Sequence, residues 1–199
     1  MSPLEIEALL LSLQVALTAI GVSLPLAIFI AWLLARKTFP GKSVLDGIVH
    51  LPLILPPVVV GYVLLVTLGR NGTLGRWLFE TFDITLAFTW KGAAVAAAVM
   101  AFPLMVRAIR LSLEAVDSGL EDAARTLGAS PVRVFATVTL PLASPGVLSG
   151  AVLGFARALG EFGATITFVS NIPGETRTLP IALYTLTQIP GGEDGAFRL

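Results

Sequence analysis

The feature that most constrains the fold is a long run without charge near the N-terminus, from Leu9 to Leu34. At about 1.5 Å per residue, a helix of that length crosses the roughly 30 Å hydrocarbon core of a bilayer with some tilt. Glu5 and Glu7 precede the run, whereas a signal peptide has a basic start and a shorter apolar core. We therefore expect a first membrane helix that is retained.

The second charge-free run, from Leu51 to Gly69, contains three prolines. Pro52, Pro56 and Pro57 each remove a backbone donor, so we expect this helix to bend near its start. Kinks of this kind often border a transport pathway, but proline also suits the first turn of an ordinary helix. The sequence leaves both interpretations open.

Two further apolar runs complete the pattern. The third begins at Gly92 and is rich in alanine, and the fourth predicts one helix from Ser144 to Val169. Hydrophobic residues make up 55% of the 199-residue chain and charged residues 13%, against about 25% charged residues in soluble domains. The sequence therefore predicts an all-α, polytopic membrane protein with four visible transmembrane helices, forming a single domain over residues 1–199.

Basic residues are distributed unevenly beside these runs, which predicts the orientation of the chain. They collect after the first run and between the third and fourth, and we assign these segments to the cytoplasm. Segments 70–91 and 171–194 are then expected to be outer loops. The basic residues assigned to the cytoplasm are Arg36, Lys37, Lys42, Arg107, Arg110, Arg125 and Arg133.

Small residues recur at four-residue spacing in the third and fourth runs, which lets helix backbones approach closely. Packing within one chain and packing between subunits both explain the pattern. The ridges are Ala93, Ala97 and Ala101 in the third run and Gly146, Gly150, Gly154 and Ala158 in the fourth.

Arg157 and Glu161 lie inside the fourth run, four residues apart, and are expected to share a helix face. Unpaired charge at this depth is costly, so we expect the two to pair with each other or with polar neighbours. A gate or an anion-facing arginine in a pathway is one interpretation, and a structural ion pair is the other.

The sequence lacks the residues of common catalytic and metal sites. There is no cysteine, and His50 is the one histidine. Gly41-Lys42-Ser43 resembles the end of a phosphate-binding loop, but Arg36 stands where that loop needs glycine. A formal net charge of zero gives no reason to expect nucleic-acid binding. We therefore expect no catalytic residue, no metal site and no cofactor bound by this chain.

The segment between the third and fourth runs predicts two short helices. Asp117 or Ser118 caps the first, and Gly128 stops it. Ser130 caps the second, with Pro131 at its first position. A short helix outside the membrane needs a surface against which to dock.

This segment resembles the cytoplasmic loop of permease subunits in binding-protein-dependent ABC importers, in which EAA, three residues, glycine, nine residues and IxLP follow one another. Aspartate replaces the usual glutamate, with Glu121 just before it, and valine replaces isoleucine. An amphipathic hairpin lying on the bilayer would not explain this spacing. The matching residues are Asp122, Ala123, Ala124, Gly128, Val138, Leu140 and Pro141.

The resemblance implies a type I importer permease fold, in which Glu121 and the matched residues other than Val138 form a loop that couples to a separate ATPase. Residues 154–165 and 171–180 are similar to the molybdate branch and close to the sulfate branch. A sulfate or thiosulfate permease is the main alternative, and an ion-gradient-driven anion carrier is a weaker one. The candidate pathway residues are Arg157, Glu161, Pro56 and Pro57.

The same resemblance implies the partners. We expect a homodimer in the bilayer of a bacterial or archaeal cytoplasmic membrane, with two ABC ATPase subunits that bind ATP and Mg²⁺ and an external oxyanion-binding protein. Family members have a fifth core helix that is missing after Leu199. We expect this to reflect a truncated sequence.

Overall fold

A computed structural model describes residues 3–199, apart from the side chains of residues 193, 194 and 198, and every regular element in that range is helical. A π-helical turn at Phe135–Thr139 separates α7 from α8. The helices are α1 (Pro3–Arg36), α2 (Lys42–Ile54), α3 (Pro57–Leu68), α4 (Thr73–Phe82), α5 (Trp90–Ala115), α6 (Ser118–Thr126), α7 (Pro131–Val134), α8 (Leu140–Leu142), α9 (Ser144–Leu159), α10 (Gly163–Val169), α11 (Leu179–Thr187) and α12 (Glu193–Arg198).

Helix α5 is the centre of the packing, with α1 and α9 against it. The predicted alanine ridge at Ala93, Ala97 and Ala101 is fully buried within the chain. On α9, a Cβ atom added to Gly154 would lie 2.6 Å from Cγ of Met105, so α5 needs glycine there to approach closely. Both small-residue ridges therefore serve packing within one chain.

The prolines of the second run break it more sharply than predicted. Instead of one helix bent near its start, α2 and α3 meet at an angle of 114°. Pro57 is the first residue of α3, where its missing N–H costs nothing. Helix α3 then packs against α10, where a Cβ atom on Gly61 would lie 2.8 Å from Cβ of Thr167.

The predicted fourth helix begins at Ser144 as expected, but its predicted end at Val169 is wrong. Helix α9 stops at Leu159, and α10 begins at Gly163. Glycines at 160 and 163 favour a break because glycine is a poor helix former. The carboxylate of Glu161 supports the new start by accepting a hydrogen bond from the Ala164 amide at 2.8 Å.

Helices α1 and α5 are each long and apolar enough to cross a membrane. Two bent pairs meet the same criterion when each pair is taken together: α2 with α3, and Pro131–Leu142 with α9 at 68°. Length and composition thus allow two to four crossings among the described residues, and four stays a prediction.

The two segments predicted as outer loops contain helices. Helix α4 lies in the first and α11 in the second. The start of α11 is tied to α1, since the Leu179 amide donates to Oγ of the buried Ser12 at 2.6 Å. A hydrogen bond between residues so distant in sequence has no local signal, so this contact could not be predicted from the sequence.

Candidate functional site

Local sequence determines the two short helices between α5 and α8. Oδ1 of Asp117 accepts from the Gly119 amide at 2.8 Å, which identifies Asp117 rather than Ser118 as the cap of α6. Gly128 ends the turn with a φ of 85°, a backbone conformation that favours glycine. Ser130 caps α7, and Pro131 opens it. The two predicted helices, the cap at Ser130 and the stop at Gly128 are confirmed.

Sequence reasoning missed the π-helical turn that follows α7. Its first residue, Phe135, places its ring edge-on against Trp32 of α1, with ring centroids 5.9 Å apart. Leu140 is half-buried and Pro141 exposed in the short α8 beyond the turn. The turn thus joins the segment to the end of α1.

A buried carboxylate anchors α6 to the membrane helices. Oε1 of Glu121 lies 3.0 Å from Nη2 of Arg36, the last residue of α1, and accepts the Thr139 hydroxyl at 2.8 Å. The same Nη2 donates to the Val116 carbonyl at 2.9 Å, so Arg36 holds both ends of the α5–α6 junction. The Glu121 side chain is 8% exposed and that of Arg36 19%. Removing Arg36 would leave the buried carboxylate with the longer 3.6 Å contact to Arg125, and removing Glu121 would leave the Arg36 guanidinium without its carboxylate partner.

The neighbouring Asp122 has a different environment, although it matches the motif position. Its side chain is 68% exposed and pairs with Nη1 of Arg125 at 2.6 Å. Ala123 is exposed and Ala124 half-buried on the same helix. Glu121 is therefore the anchor, and Asp122 belongs to the outward surface. Arg36 was missed because it lies far from the motif in sequence, and Thr139 because it occupies the variable position between Val138 and Leu140.

The outward surface of this segment is apolar as well as charged. Leu120 and Leu127 are 50% and 89% exposed. Because they lie among the exposed charges of Asp122 and Arg125, lipid is a poor environment for them. Exposed apolar groups in an aqueous setting indicate a protein contact.

The second candidate site lies where the two helix breaks meet. Nη1 of Arg157 is 2.6 Å from Oε2 of Glu161, whose side chain is 2% exposed. Glu161 follows the end of α9, so the pair does not share a helix face as predicted but closes the helix end. A Cβ atom on Gly163 would lie 2.8 Å from Cβ of Pro57, which brings the proline break against the start of α10. Pro56 precedes α3 as its capping residue.

His50 belongs to a separate polar cluster between α2 and α5. Its Nδ1 lies 3.2 Å from Oδ1 of Asp46, and Oδ2 of Asp46 lies 3.1 Å from Nη1 of Arg110. Arg110 also pairs with Glu114 at 2.8 Å. The cluster fixes α2 against α5 and leaves the imidazole half-buried.

Comparison with known proteins gives a consistent result. Residues 23–190 match the family described as binding-protein-dependent transport system inner membrane component. The molybdenum transport system permease protein ModB of Escherichia coli K12 is 67% identical over 195 residues, covering 98% of this chain and 85% of that protein. The sulfate transport system permease protein CysW of Synechococcus elongatus is 40% identical over 175 residues, covering 88% and 61%.

A solved structure supports the fold. A bacterial ABC transporter involved in the import of the acidic polysaccharide alginate superposes with a TM-score of 0.75 at 18% identity, covering all of this chain and 74% of the other. At that identity the likeness concerns the fold alone. It confirms the predicted all-helical permease architecture.

Proposed function

Because the chain belongs to the family of inner membrane components of binding-protein-dependent transport systems, we propose that it is the permease subunit of an ATP-driven molybdate importer. It is an integral protein of the inner membrane. The assignment of molybdate as the substrate rests on the 67% identity to a molybdenum permease across nearly the whole chain. The sulfate permease is more distant, at 40%. Tungstate has the same tetrahedral oxyanion form and is expected to share the pathway.

The segment from α6 to α8 is the proposed contact with the ATPase. Its exposed apolar residues, Leu120 and Leu127, suit a groove on a partner protein, and the charges around them orient the contact. Gly128 allows the sharp turn between α6 and α7. Asp122, Ala123 and Ala124 lie on the helix that would enter the groove. ATP and Mg²⁺ are bound by the ATPase and not by this chain.

The Arg36–Glu121 pair would transmit movement from the proposed ATPase contact to the membrane helices. A displaced α6 would carry the end of α1 with it, because the pair is buried and also holds the Val116 carbonyl. Leu140 and Pro141 lead into α9, so the same displacement reaches the helix that carries Arg157. Two membrane helices would therefore respond to one docking event.

The meeting point of the helix breaks is the proposed pathway. One chain with so few crossings cannot enclose a passage, so we infer a two-fold pair with the passage on its axis. Pro56 and Pro57 interrupt one helix, and Gly160 interrupts another, which frees backbone groups to line a polar route. Arg157 supplies positive charge to an oxyanion there, while Glu161 holds the guanidinium in place. Weak contact suffices because an external binding protein captures the anion.

Uptake of labelled molybdate into proteoliposomes tests this function. The vesicles contain this chain, its ATPase and its binding protein, with ATP in the compartment that holds the ATPase. We expect uptake that requires ATP and is suppressed by tungstate but not by excess sulfate. Suppression by sulfate would assign the chain to sulfate transport, and uptake driven by an ion gradient without ATP would contradict the importer.

A further inference from the structure

An apolar groove runs along the second half of α1. It has a volume of about 290 Å³ and lies between α1 and the start of the α7 segment. Almost no polar atom lines it. Its principal lining residues are Pro25, Ile28, Phe29 and Trp32 on α1, with Val132 and Phe135 opposite.

The groove shares three lining residues with a second, polar pocket. Trp32, Pro131 and Phe135 line both, and the second pocket, of about 210 Å³, adds Arg36 and Lys37 together with charged residues of α6. Its three cations, Arg36, Lys37 and Arg125, face one carboxylate, that of Glu121.

Lys37 is the cation that remains available in this pocket. Arg36 is committed to Glu121, and Arg125 pairs with both Glu121 and Asp122. The ammonium of Lys37 lies 5.4 Å from the centroid of the Trp32 ring and has no carboxylate partner among the described residues. It can therefore bind an external anion at the end of the apolar groove.

The length of α1 that borders the groove and the pocket matches the thickness of one bilayer leaflet. From Pro25 to Arg36, a helix rising about 1.5 Å per residue covers roughly 17 Å. That is about half of a 30 Å hydrocarbon core. The apolar part of the groove thus lies at acyl-chain depth, and the cationic pocket lies at the surface predicted to be cytoplasmic.

We propose that this groove binds an anionic phospholipid of the cytoplasmic leaflet, with an acyl chain against Trp32 and Phe135 and the headgroup phosphate at Lys37. The inference rests on the membrane orientation of the proposed function. Basic pockets beside membrane helices on the cytoplasmic side bind anionic headgroups by the same electrostatics. Because the lipid touches α1 and the π-helical turn together, it stabilises the position of the segment that contacts the ATPase.

Native mass spectrometry of the purified transporter complex tests the site, with phosphatidylglycerol and phosphatidylcholine offered in equal amounts. We expect retained phosphatidylglycerol in the unaltered complex. Lys37→Gln should weaken its retention about fivefold, the loss expected for one basic residue at an anionic surface. Ile28→Trp should block the groove and abolish retention.

Two matched variants control for charge and bulk. Lys91→Gln removes a lysine at the start of α5, and Val22→Trp adds the same bulk to α1 at an exposed position that does not line the groove. Both should retain phosphatidylglycerol as the unaltered complex does. Equal loss of bound phosphatidylglycerol in a control and in the variant that it matches would overturn the proposal.

Three other outcomes would also overturn the proposal. Equal retention of phosphatidylcholine would exclude headgroup recognition, and unchanged retention in every variant would place the lipid elsewhere. The chain has no cysteine, so Phe29→Cys offers one thiol in the groove. A disulfide between two such chains would assign the groove to a second copy. Molybdate uptake measured on the same preparations keeps failure of the lipid site separate from failure of the importer.

Discussion

Two buried arginine–glutamate pairs in this protein do different things with the same chemistry. Arg157–Glu161 is local, because its partners are four residues apart and the carboxylate also caps the next helix. Arg36–Glu121 joins the end of one membrane helix to a short helix much later in the chain. The local pair shapes one turn of backbone, whereas the distant pair fixes one element on another. Their loss should therefore have different consequences.

Breaking the distant pair should have the largest effect. Arg36→Ala leaves the buried carboxylate of Glu121 with the Thr139 hydroxyl and the longer 3.6 Å contact to Arg125, so we expect a stability loss of about 3 kcal/mol. ATP hydrolysis by the assembled complex should continue while molybdate uptake falls. Thermal unfolding and the ratio of molybdate moved to ATP hydrolysed measure the two effects.

A charge-swapped variant distinguishes the effect of the Arg36–Glu121 ion pair from the effect of losing either side chain. Arg36→Glu combined with Glu121→Arg should recover part of the uptake per ATP, since the ion pair can form in reverse. Arg133→Ala, which removes an exposed arginine from the same segment, is the control. If Arg36→Ala keeps both its melting temperature and its uptake per ATP, α6 is not anchored through this pair.

The two pairs also show what the sequence could and could not predict. Arg157 and Glu161 were identified from spacing alone. The cap at Asp117 or Ser118, the cap at Ser130 and the stop at Gly128 follow from local rules that depend on a few neighbours. Glu121 was recognised only as a companion of Asp122. Its partner Arg36 could not be found, because tertiary packing and not periodicity brings the end of α1 to α6.

The helix breaks were only partly predictable from the sequence. Glycines at 160 and 163 and the prolines at 56 and 57 carry a local signal for interruption. The angle between α2 and α3 is 114°, and α3 packs closely against α10 at Gly61, a tertiary contact that the sequence does not reveal. The sequence therefore predicted the bend of the second run but underestimated its angle, and the break between α9 and α10 was missed although the glycines there carry a signal for it.

Neutralising the local pair should affect transport more than assembly. Arg157→Met with Glu161→Gln leaves no orphan charge, and the glutamine oxygen can still accept from the Ala164 amide. We expect assembly with the ATPase to persist and molybdate uptake to fall roughly tenfold, the value of one hydrogen bond to a charged group. Size-exclusion chromatography of the complex and initial uptake rates measure this.

Arg76→Met on α4 is the matched control for the loss of one arginine, and its uptake should be unchanged. If the double variant fails to assemble, the Arg157–Glu161 pair is structural, like Arg36–Glu121, and the contrast between the two sites disappears. A normal uptake rate would instead remove Arg157 from the pathway.

The exposed pair Asp122–Arg125 sharpens the comparison, since it lies beside Glu121 on the same helix but faces outward. Asp122→Asn should change stability by less than about 0.5 kcal/mol, because exposed ion pairs contribute little.

Asp122→Lys should leave the permease dimer intact but uncouple ATP hydrolysis from uptake, since it reverses the charge on the proposed ATPase contact. Pull-down of the ATPase and uptake per ATP measure this. If Asp122→Lys behaves like Asp122→Asn in both assays, the outward face of α6 does not meet the ATPase, and the role of this helix reduces to its anchor at Glu121.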